Sequence, residues 1–300
     1  MASLPQQISR LVKAPLRPLA RRVGLAAPTN EWWTARQGPW VYAPFGQPAV
    51  CNVCRWQGDE FVGPFHAEMA SCPVCGSVSR DRFLLHSFFS TIAKPSGLRV
   101  WETSPRLGDR YRQMMRKHFD YFASDYDLSA HEGDVQIDLQ KVALPDESID
   151  VLLTPHVLEH VPDTDQALSE IHRVLKPGGH MFLQVPLQVG ATRVPPEPEF
   201  HADNTPVFFN FGWDLTHRLR HHEFTVDVLV TDEWRDVLRG NAPTIASNGD
   251  GFHVEDLISS ARSALDLDRD LVSIADRATS RALGALPPYH HVTWRCRKPN

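Results

Sequence analysis

The chain has 300 residues, a formal net charge of −5 and 42% hydrophobic residues. That length can bury a sizeable core and favours one large domain with a smaller unit. The slightly acidic balance argues against general nucleic-acid binding, although charge can be concentrated locally. No stretch approaches the roughly 20 apolar residues that a membrane span needs.

Residues 1–45 are predicted to form a basic N-terminal arm. Five basic residues precede the first acid: Arg10, Lys13, Arg17, Arg21 and Arg22. Apolar residues recur among them at roughly helical spacing, which is typical of a basic helix that touches acidic lipid or a partner. Pro5, Pro15 and Pro18 interrupt such a helix and favour a loosely docked terminus. At most we expect a weak membrane-surface contact from this arm.

Two cysteine pairs, Cys51 with Cys54 and Cys72 with Cys75, give the strongest local signal. A C-x2-C turn aims two thiolates at one point, and two such turns complete the tetrahedron that Zn²⁺ prefers. The alternative, two disulfides, requires an exported chain, and the first residues show no signal peptide, so we expect a cytoplasmic protein. Four protein ligands leave the metal no open position, so the predicted zinc is structural and residues 46–80 form its module.

Strand and helix patterns alternate after the cysteines. Apolar runs predict buried strands at 98–102, 121–124, 150–153, 181–185 and 289–297. Apolar spacing predicts helices at 80–92, 107–118, 164–175 and 214–220. Strands that alternate with helices form a mostly parallel sheet covered on both faces, and ligands bind such sheets at the carboxyl ends of the strands.

Residues 233–286 form an insertion before the last strand. Its apolar residues fall into two groups at helical spacing: Leu257, Ile258, Ala261 and Leu265, then Leu271, Ile274, Ala275 and Ala278. We therefore expect two amphipathic helices there. They serve as a lid, as a homodimer contact or as ordinary surface packing, and the sequence leaves these three alternatives open.

Two stretches resemble class I S-adenosylmethionine (SAM)-dependent methyltransferases of the type 11 group. They are DESIDVLLTPHVLEHV at 146–161 and EIHRVLKPGG at 170–179. The cysteine pairs followed by GSVSRDR at 76–82 are similar to a bacterial subgroup with a zinc-binding module ahead of the catalytic domain. The resemblance covers roughly residues 50–232 and the last strand.

This resemblance implies an α/β fold with a Rossmann-like, doubly wound, seven-stranded and mostly parallel sheet. A small zinc-ribbon-like module precedes it, and a helical insertion interrupts it before the last strand. The methyltransferase core would then comprise residues 81–232 and residues 287–300.

The family's glycine-rich turn after the first strand is changed in this chain. Most members have D-x-G-x-G there, whereas residues 102–108 read ETSPRLG. The zinc-bearing subgroup also replaces these glycines, so the change is compatible with an active enzyme. By position, Glu102 is predicted to contact the methionine ammonium of SAM, with Thr103 and Ser104 beside it. The alternative is a strand-end carboxylate that is only solvated.

The resemblance implies further cofactor contacts along the next strands. Asp125 is predicted to accept hydrogen bonds from the ribose hydroxyls, with Asp127 as the rival acid, and Tyr126 to cover the adenine. Asp138 is predicted to accept from the adenine amino group, with the Leu139 backbone nearby. An Asp in a loop also commonly forms a turn.

The predicted methyl-transfer region is the end of the fourth strand, where Thr154, Pro155 and His156 are expected to face the methyl group. His156 is the candidate base, because an unperturbed imidazole pKa of about 6.5 suits proton removal near neutral pH. The alternative is that this ring only packs under the cofactor. His201 is the weaker second candidate, in a loop that commonly walls the substrate pocket in the family.

Residues 156–160 also spell H-x-x-E-H, the pattern of inverted zinc metalloproteases. That chemistry needs both histidines on one long helix, whereas here the pattern follows a strand and soon reaches Pro162. Some methyltransferases with E-x-x-E-H at this position hold magnesium. We disfavour such a site here, because His156 replaces the first oxygen ligand.

Three functions compete. The first is a SAM-dependent methyltransferase acting on an O or N nucleophile of a small molecule or a glycan-type acceptor, with a structural zinc. The second is methylation of RNA or protein, with the zinc module helping to bind the macromolecule. The third is a non-catalytic binding protein on a degenerate fold. Residues 57–70 contain no Lys or Arg, which disfavours nucleic acid, and retention of Asp125 and Asp138 argues against the third function.

Overall fold

An eight-stranded mixed sheet organises the part of the chain that the computed structural model describes. The described residues are 49–62, 70–92, 97–129, 133–201, 204–243, 254–285 and 291–300. The predicted basic arm at 1–45 lies outside them. In the described part, no helix is long and apolar enough to cross a membrane.

The strands are β1 (Ala49–Val50), β2 (Gln57–Gly58), β3 (Arg99–Thr103), β4 (Asp120–Asp125), β5 (Val135–Gln136), β6 (Ile149–Pro155), β7 (Leu175–Gln184), β8 (Glu199–Phe200), β9 (Pro206–Val207), β10 (Thr225–Thr231), β11 (Leu271–Ala275) and β12 (Thr293–Arg297). The helices are α1 (Ser79–Thr91), α2 (Asp109–His118), α3 (Thr164–Val174), α4 (Leu215–His221), α5 (Asp232–Arg239), α6 (Val254–Ala264), α7 (Leu267–Asp270) and α8 (Arg277–Leu283). A 3₁₀ turn spans Leu158–His160.

The order of strands in the main sheet is β11-β10-β12-β7-β6-β3-β4-β5. Strand β12 runs antiparallel to both of its neighbours, and the other neighbouring pairs of this sheet are parallel. The chain moves outward from β3 through β4 to β5 and then returns to β6, so the strand order reverses between β3 and β6. This reversal marks where a doubly wound sheet binds ligand. The predicted Rossmann-like fold class is confirmed.

The insertion departs from its predicted form. Its first predicted helix exists as α6, but residues 271–275 form strand β11 and not the start of a second helix. Parallel pairing with β10 gives the backbone of this segment hydrogen bonds at the sheet edge. Val272 and Ile274 also favour a strand, because their branched side chains suit a pleated surface. The sheet therefore has eight strands where seven were expected.

Buried indoles make hydrogen bonds within the sheet and between the core and two helices. The Trp101 Nε1–H donates to Ser124 Oγ (2.7 Å), and the Trp294 Nε1–H donates to Thr216 Oγ1 (2.9 Å). The Trp213 Nε1–H donates to the Leu257 carbonyl of α6 (2.8 Å). The apolar face of α6 thus belongs to the main core, where Val254, Leu257, Ile258 and Ala261 are buried.

Arg82 of α1 is fully buried and holds three segments together. Its guanidinium donates to the carbonyls of Ala70 (2.8 Å) and Ser77, which flank the second cysteine pair. Its Nε donates to the Leu283 carbonyl at the end of α8 (2.7 Å), and its Cζ lies 3.6 Å from the centroid of the Phe61 ring. Burial lowers the pKa of Arg82 from its usual value, and these acceptors compensate the charge for the lost water.

Candidate functional site

The carboxyl ends of β3, β4 and β6 lie side by side. Thr103 pairs in register with Ser124, and the Thr103 hydroxyl donates to Thr154 Oγ1 (3.0 Å). Glu102 pairs in register with Leu153. This geometry brings several predicted cofactor residues together at the carboxyl ends of these strands: Glu102, Thr103, Ser104, Asp125, Thr154 and Pro155.

Two non-glycine residues at these strand ends have left-handed backbone conformations, Ser104 with φ 46° and His156 with φ 52°. Backbone hydrogen bonds support both: the Ser104 N–H donates to the Ser124 carbonyl (2.7 Å), and the His156 N–H donates to the Gln184 carbonyl (2.8 Å). Each such conformation costs about 1 kcal/mol or more, and strain of this kind clusters at functional sites. Ser104 stands where D-x-G-x-G has its first glycine, so the turn keeps the left-handed conformation that glycine usually supplies.

Glu102 is buried, and its Oε2 accepts hydrogen bonds from the hydroxyls of Tyr111 (3.0 Å) and Tyr121 (2.7 Å). Burial raises the pKa of Glu102 to about 7, although the two tyrosine hydrogen bonds act to lower it. Near neutral pH the carboxyl therefore exists in both protonation states.

A cavity lies beside Glu102 at the same end of the sheet. Its lining residues come from α1, the β3–α2 turn, α2 and the end of β6: Asp81, Leu84, Leu85, Glu102, Arg106, Leu107, Tyr111 and Pro155. Among them only Arg106 is exposed. Asp81 faces Arg106, and the Asp81 Oδ1 lies 3.9 Å from an Arg106 nitrogen. The other carboxylate oxygen of Asp81, Oδ2, accepts from the Val78 N–H at the start of α1 (2.9 Å).

The two acids after β4 differ in environment. Asp125 is buried and its Oδ1 accepts from the Asp127 N–H (2.9 Å), whereas Asp127 is exposed and accepts from the hydroxyl of Ser129 (2.7 Å). Tyr126 between them is 69% exposed, so one face of its ring can cover a ligand.

The predicted adenine contacts lie beyond β5. Asp138 is half-buried, and its Oδ1 accepts from the backbone N–H (2.9 Å) and side-chain amide (3.2 Å) of Gln140. The Leu139 side chain belongs to the core. Asp138 thus forms a turn, and its role toward adenine stays a prediction.

His156 does not have the free imidazole that the sequence suggests for a base. An Arg80 guanidinium nitrogen lies 2.8 Å from His156 Nδ1. Because guanidinium only donates, Nδ1 must accept, and the ring proton of the neutral imidazole lies on Nε2. Burial, and then the positive charges of Arg80 and Arg106, hold the pKa of His156 well below its usual range. The expected pKa near 6.5 is therefore wrong.

Two further histidines adjoin this ring. His160 Nδ1 donates to the Pro206 carbonyl (2.6 Å), and the His201 ring packs edge-on against His160 at a centroid distance of 4.7 Å. His201 is exposed, so it lies on the solvent side of the cluster. The H-x-x-E-H residues begin directly after β6 and end in a 3₁₀ turn, and they do not form a long helix.

The four paired cysteines converge on one point. Their Sγ atoms lie within 4.8 Å of one another, with Cys51 3.6 Å from Cys75 and Cys54 3.5 Å from Cys72. A tetrahedral zinc with Zn–S bonds of about 2.3 Å needs sulfur separations of about 3.8 Å, so the arrangement fits that ion. In the described residues this is the one group of His, Cys, Asp or Glu arranged to hold a metal.

Matching turns shape the two halves of the cysteine cluster. The residue after each pair is left-handed, Arg55 with φ 59° and Gly76 with φ 73°. The Cys51 N–H donates to the Trp56 carbonyl and the Cys72 N–H donates to the Ser77 carbonyl, each at 2.8 Å. Each chain segment therefore turns back beneath its sulfur atoms.

Comparison with known proteins finds matches over the region that contains these motifs. Residues 112–183 match a family model described as a methyltransferase domain. An arsenite methyltransferase of Aquipseudomonas alcaligenes is 32% identical over 190 residues, which cover 60% of this chain and 51% of that protein. Over this region the chain is therefore similar to methyltransferases.

Other similar proteins carry related names. A probable S-adenosylmethionine-dependent methyltransferase of Mycolicibacterium smegmatis is 30% identical over 165 residues, covering 46% of this chain and 62% of that protein. A SAM-dependent methyltransferase structure from Mesorhizobium loti shares 16% identity over 52% of this chain and 88% of its own, with a TM-score of 0.38. The chain spans about half the length of the arsenite methyltransferase that it matches.

Sequence reasoning missed three charged residues of the candidate site: Arg80, Asp81 and Arg106. The first two belong to the SRDR stretch at 79–82, which served only as a family signature. The start of α1 places Arg80 on His156 and Asp81 in the cavity. A run of charges just after the second cysteine pair was the available signal, but the face on which each side chain lies depends on how α1 docks.

We expect Glu102 to make stability pH-dependent. This carboxyl has its usual value of 4.5 in the unfolded chain and a pKa of about 7 when folded. The folded protein binds the proton more tightly, so this group's contribution to stability is lost as pH rises from about 4.5 to 7. Glu102→Gln cannot ionise, so its unfolding free energy relative to wild type should rise by up to about 3 kcal/mol between pH 5 and 8.

Urea unfolding at both pH values measures this difference. Glu255→Gln, at an exposed position on α6, should show no comparable trend. A Glu102→Gln difference that stays constant with pH would contradict the raised pKa.

Proposed function

We propose that this chain transfers a methyl group from SAM to an oxygen or nitrogen nucleophile of a small-molecule or glycan-type acceptor. The observation that carries the proposal is the group of residues at the carboxyl ends of β3, β4 and β6. There a strained turn, two buried carboxylates at Glu102 and Asp125, and the Thr103–Thr154 hydrogen bond lie at the point where the strand order reverses. Buried acids at that point suit a ligand with hydroxyl and ammonium groups.

The chemistry asks mainly for positioning. When bound, SAM supplies an activated methyl group, so transfer needs a nucleophile held in line and water kept out. Asp125 would bind the ribose hydroxyls through its carboxylate. Leu84 and Leu85 of α1 would exclude water from the cavity side, since both are buried in its lining.

The neutral imidazole of His156 suits a hydrogen-bond donor better than a base. Its Nδ1 accepts from Arg80, so in the neutral ring the proton lies on Nε2, and an N–H donates a hydrogen bond and cannot take a proton. We therefore propose that His156 orients the acceptor, with His201 at the solvent side of the same cluster.

We also propose that the acceptor is not arsenite, the substrate named for one relative. Trivalent arsenic prefers soft thiolate ligands. This chain has five cysteines, of which four form the cluster and Cys296 is buried in β12. The lining of the cofactor cavity contains no cysteine. An oxygen or nitrogen acceptor fits this site better than arsenite.

The cysteine cluster is proposed to hold a structural zinc. All four ligand positions come from the protein, which leaves no site for a reacting water. Arg82 bonds the carbonyls of Ala70 and Ser77 beside the second pair, so the metal would brace the start of α1. Through α1 it would keep Arg80 and Asp81 at the cofactor site.

The cofactor assignment predicts binding of SAM and of S-adenosylhomocysteine. Asp125→Ala should weaken both by about 1.5–3 kcal/mol, which is the scale of hydrogen bonds to a charged group. Asp127→Ala should leave them unchanged, because Asp127 Oδ1 already accepts from the N–H and the hydroxyl of Ser129. Titration calorimetry on folded variants measures this. Loss of affinity in Asp127→Ala alone would assign ribose binding to Asp127 instead of Asp125. If wild type binds neither ligand, the result would favour the non-catalytic protein on a degenerate fold.

The orienting role predicts a particular pH profile. Because the imidazole of His156 stays neutral above its lowered pKa, wild type and His156→Ala should show the same pH dependence of turnover between pH 6 and 8. Turnover itself should fall in the variant, by less than the 10²–10⁴-fold typical of a lost base. His217→Ala, at an exposed position on α4, is the control. A rising limb near pH 6–7 that disappears only in His156→Ala would restore the base role.

The zinc assignment predicts about one zinc per chain by metal analysis. Cys72→Ser should lose the ion and unfold the segments around the cysteines, because binding energy and local folding are coupled. Cys296→Ala should keep the ion, since Cys296 lies in β12 and outside the cluster. Wild-type protein free of zinc, with disulfides found by mass spectrometry, would overturn the assignment.

A further inference from the structure

The turn after β3 has an arginine side chain at a position where the family pattern has glycine. Aligning ETSPRLG with D-x-G-x-G places Ser104 at the first glycine and Arg106 at the second. Ser104 keeps the left-handed conformation, so the course of the turn is preserved there. Arg106 instead adds a long side chain with up to five N–H donors at a point where ligand is expected to approach.

Arg106 shares a cavity with two carboxyl groups, those of Asp81 and Glu102. Its side chain is 35% exposed, whereas that of Asp81 is 7% exposed. The two approach only to 3.9 Å, which is longer than a hydrogen bond. A partly solvated ion pair at this distance contributes little stability by itself.

The two carboxyl groups are not equivalent. Glu102 Oε2 already accepts from two tyrosine hydroxyls, and its raised pKa leaves it partly neutral near pH 7. Asp81 engages Oδ2 with the Val78 N–H, and its Oδ1 is the oxygen nearest Arg106. Asp81 is therefore the better acceptor for an ammonium group.

The methionine end of SAM carries one carboxylate and one ammonium on the same carbon. We propose that Arg106 binds this carboxylate and Asp81 binds this ammonium, so that the loose ion pair opens to admit a zwitterion. Each contact would be a charge-assisted hydrogen bond, the stronger class of such bonds. This inference rests on the proposed cofactor. It assigns recognition of the methionine end of SAM to two side chains, whereas most of the family has glycine at this turn.

Three nucleosides separate the two contacts. S-adenosylhomocysteine has both charged groups, decarboxylated SAM keeps the amine alone, and 5′-methylthioadenosine has neither. Calorimetry gives the dissociation constant of each for wild type and variants, so the readout is binding and not turnover.

Arg106→Gln should weaken S-adenosylhomocysteine by roughly 10- to 100-fold, the scale of a lost hydrogen bond to a charged group. The same variant should bind decarboxylated SAM and 5′-methylthioadenosine within about twofold of wild type. Arg106→Lys keeps the charge and should recover part of the loss. Arg110→Gln, at an exposed position on α2, should leave all three constants unchanged.

Asp81→Asn should weaken S-adenosylhomocysteine and decarboxylated SAM alike and spare 5′-methylthioadenosine. Because Asp81 also accepts from Val78 at the start of α1, a melting curve checks that the variant is folded. An unfolded Asp81→Asn leaves the Arg106 series to decide the proposal.

Two results would overturn the inference. One is an Arg106→Gln variant with unchanged affinity for S-adenosylhomocysteine, and the other is an equal loss for 5′-methylthioadenosine. If wild type binds adenosine ligands in either case, the proposed function stands and only the roles of Arg106 and Asp81 fail. If wild type binds none of the three, the proposed function fails as well.

Discussion

A buried guanidinium must find hydrogen-bond acceptors inside the protein, because it can neither give up its charge nor reach water. Arg82 meets this demand with carbonyls from the cysteine segment and from the end of α8. Segments far apart in sequence are thereby held around one side chain. The docking of α1, and with it the geometry of the proposed cofactor site, depends on this contact.

The first turn of α1 serves three neighbours at once. Successive helical residues point about 100° apart, since a turn takes 3.6 residues. Arg80 therefore reaches the end of β6, Asp81 reaches the cavity, and Arg82 reaches the cysteine segment. Three adjacent charged side chains thus contact both the proposed metal module and the proposed methyl-transfer region. Small changes in the cysteine turns would alter all three contacts together.

Features that depend on neighbouring residues in the sequence were predictable. Features that depend on how distant helices and strands pack together were not. The C-x2-C pairs, the alternating strands and the motif at 146–161 are local, and they gave the cysteine cluster and the sheet. Strand β11 could not be foreseen, because its residues also fit a helix and only the open edge of β10 decides between them. The altered titration of His156 was equally hidden, since it arises from burial and from Arg80 on a distant element. The roles of Asp125 and Asp138 remain predictions.

The edge formed by β11 has a consequence for solubility. An exposed edge strand offers unpaired backbone groups on which another chain can align and aggregate. Here the Ile274 carbonyl accepts from the His86 side chain of α1 (2.7 Å), so that group cannot bond an incoming strand. At the opposite edge, β5 has only two residues, Val135–Gln136. The short β5 edge is thus a poor template for strand addition, and at the β11 edge the Ile274 carbonyl is already bonded.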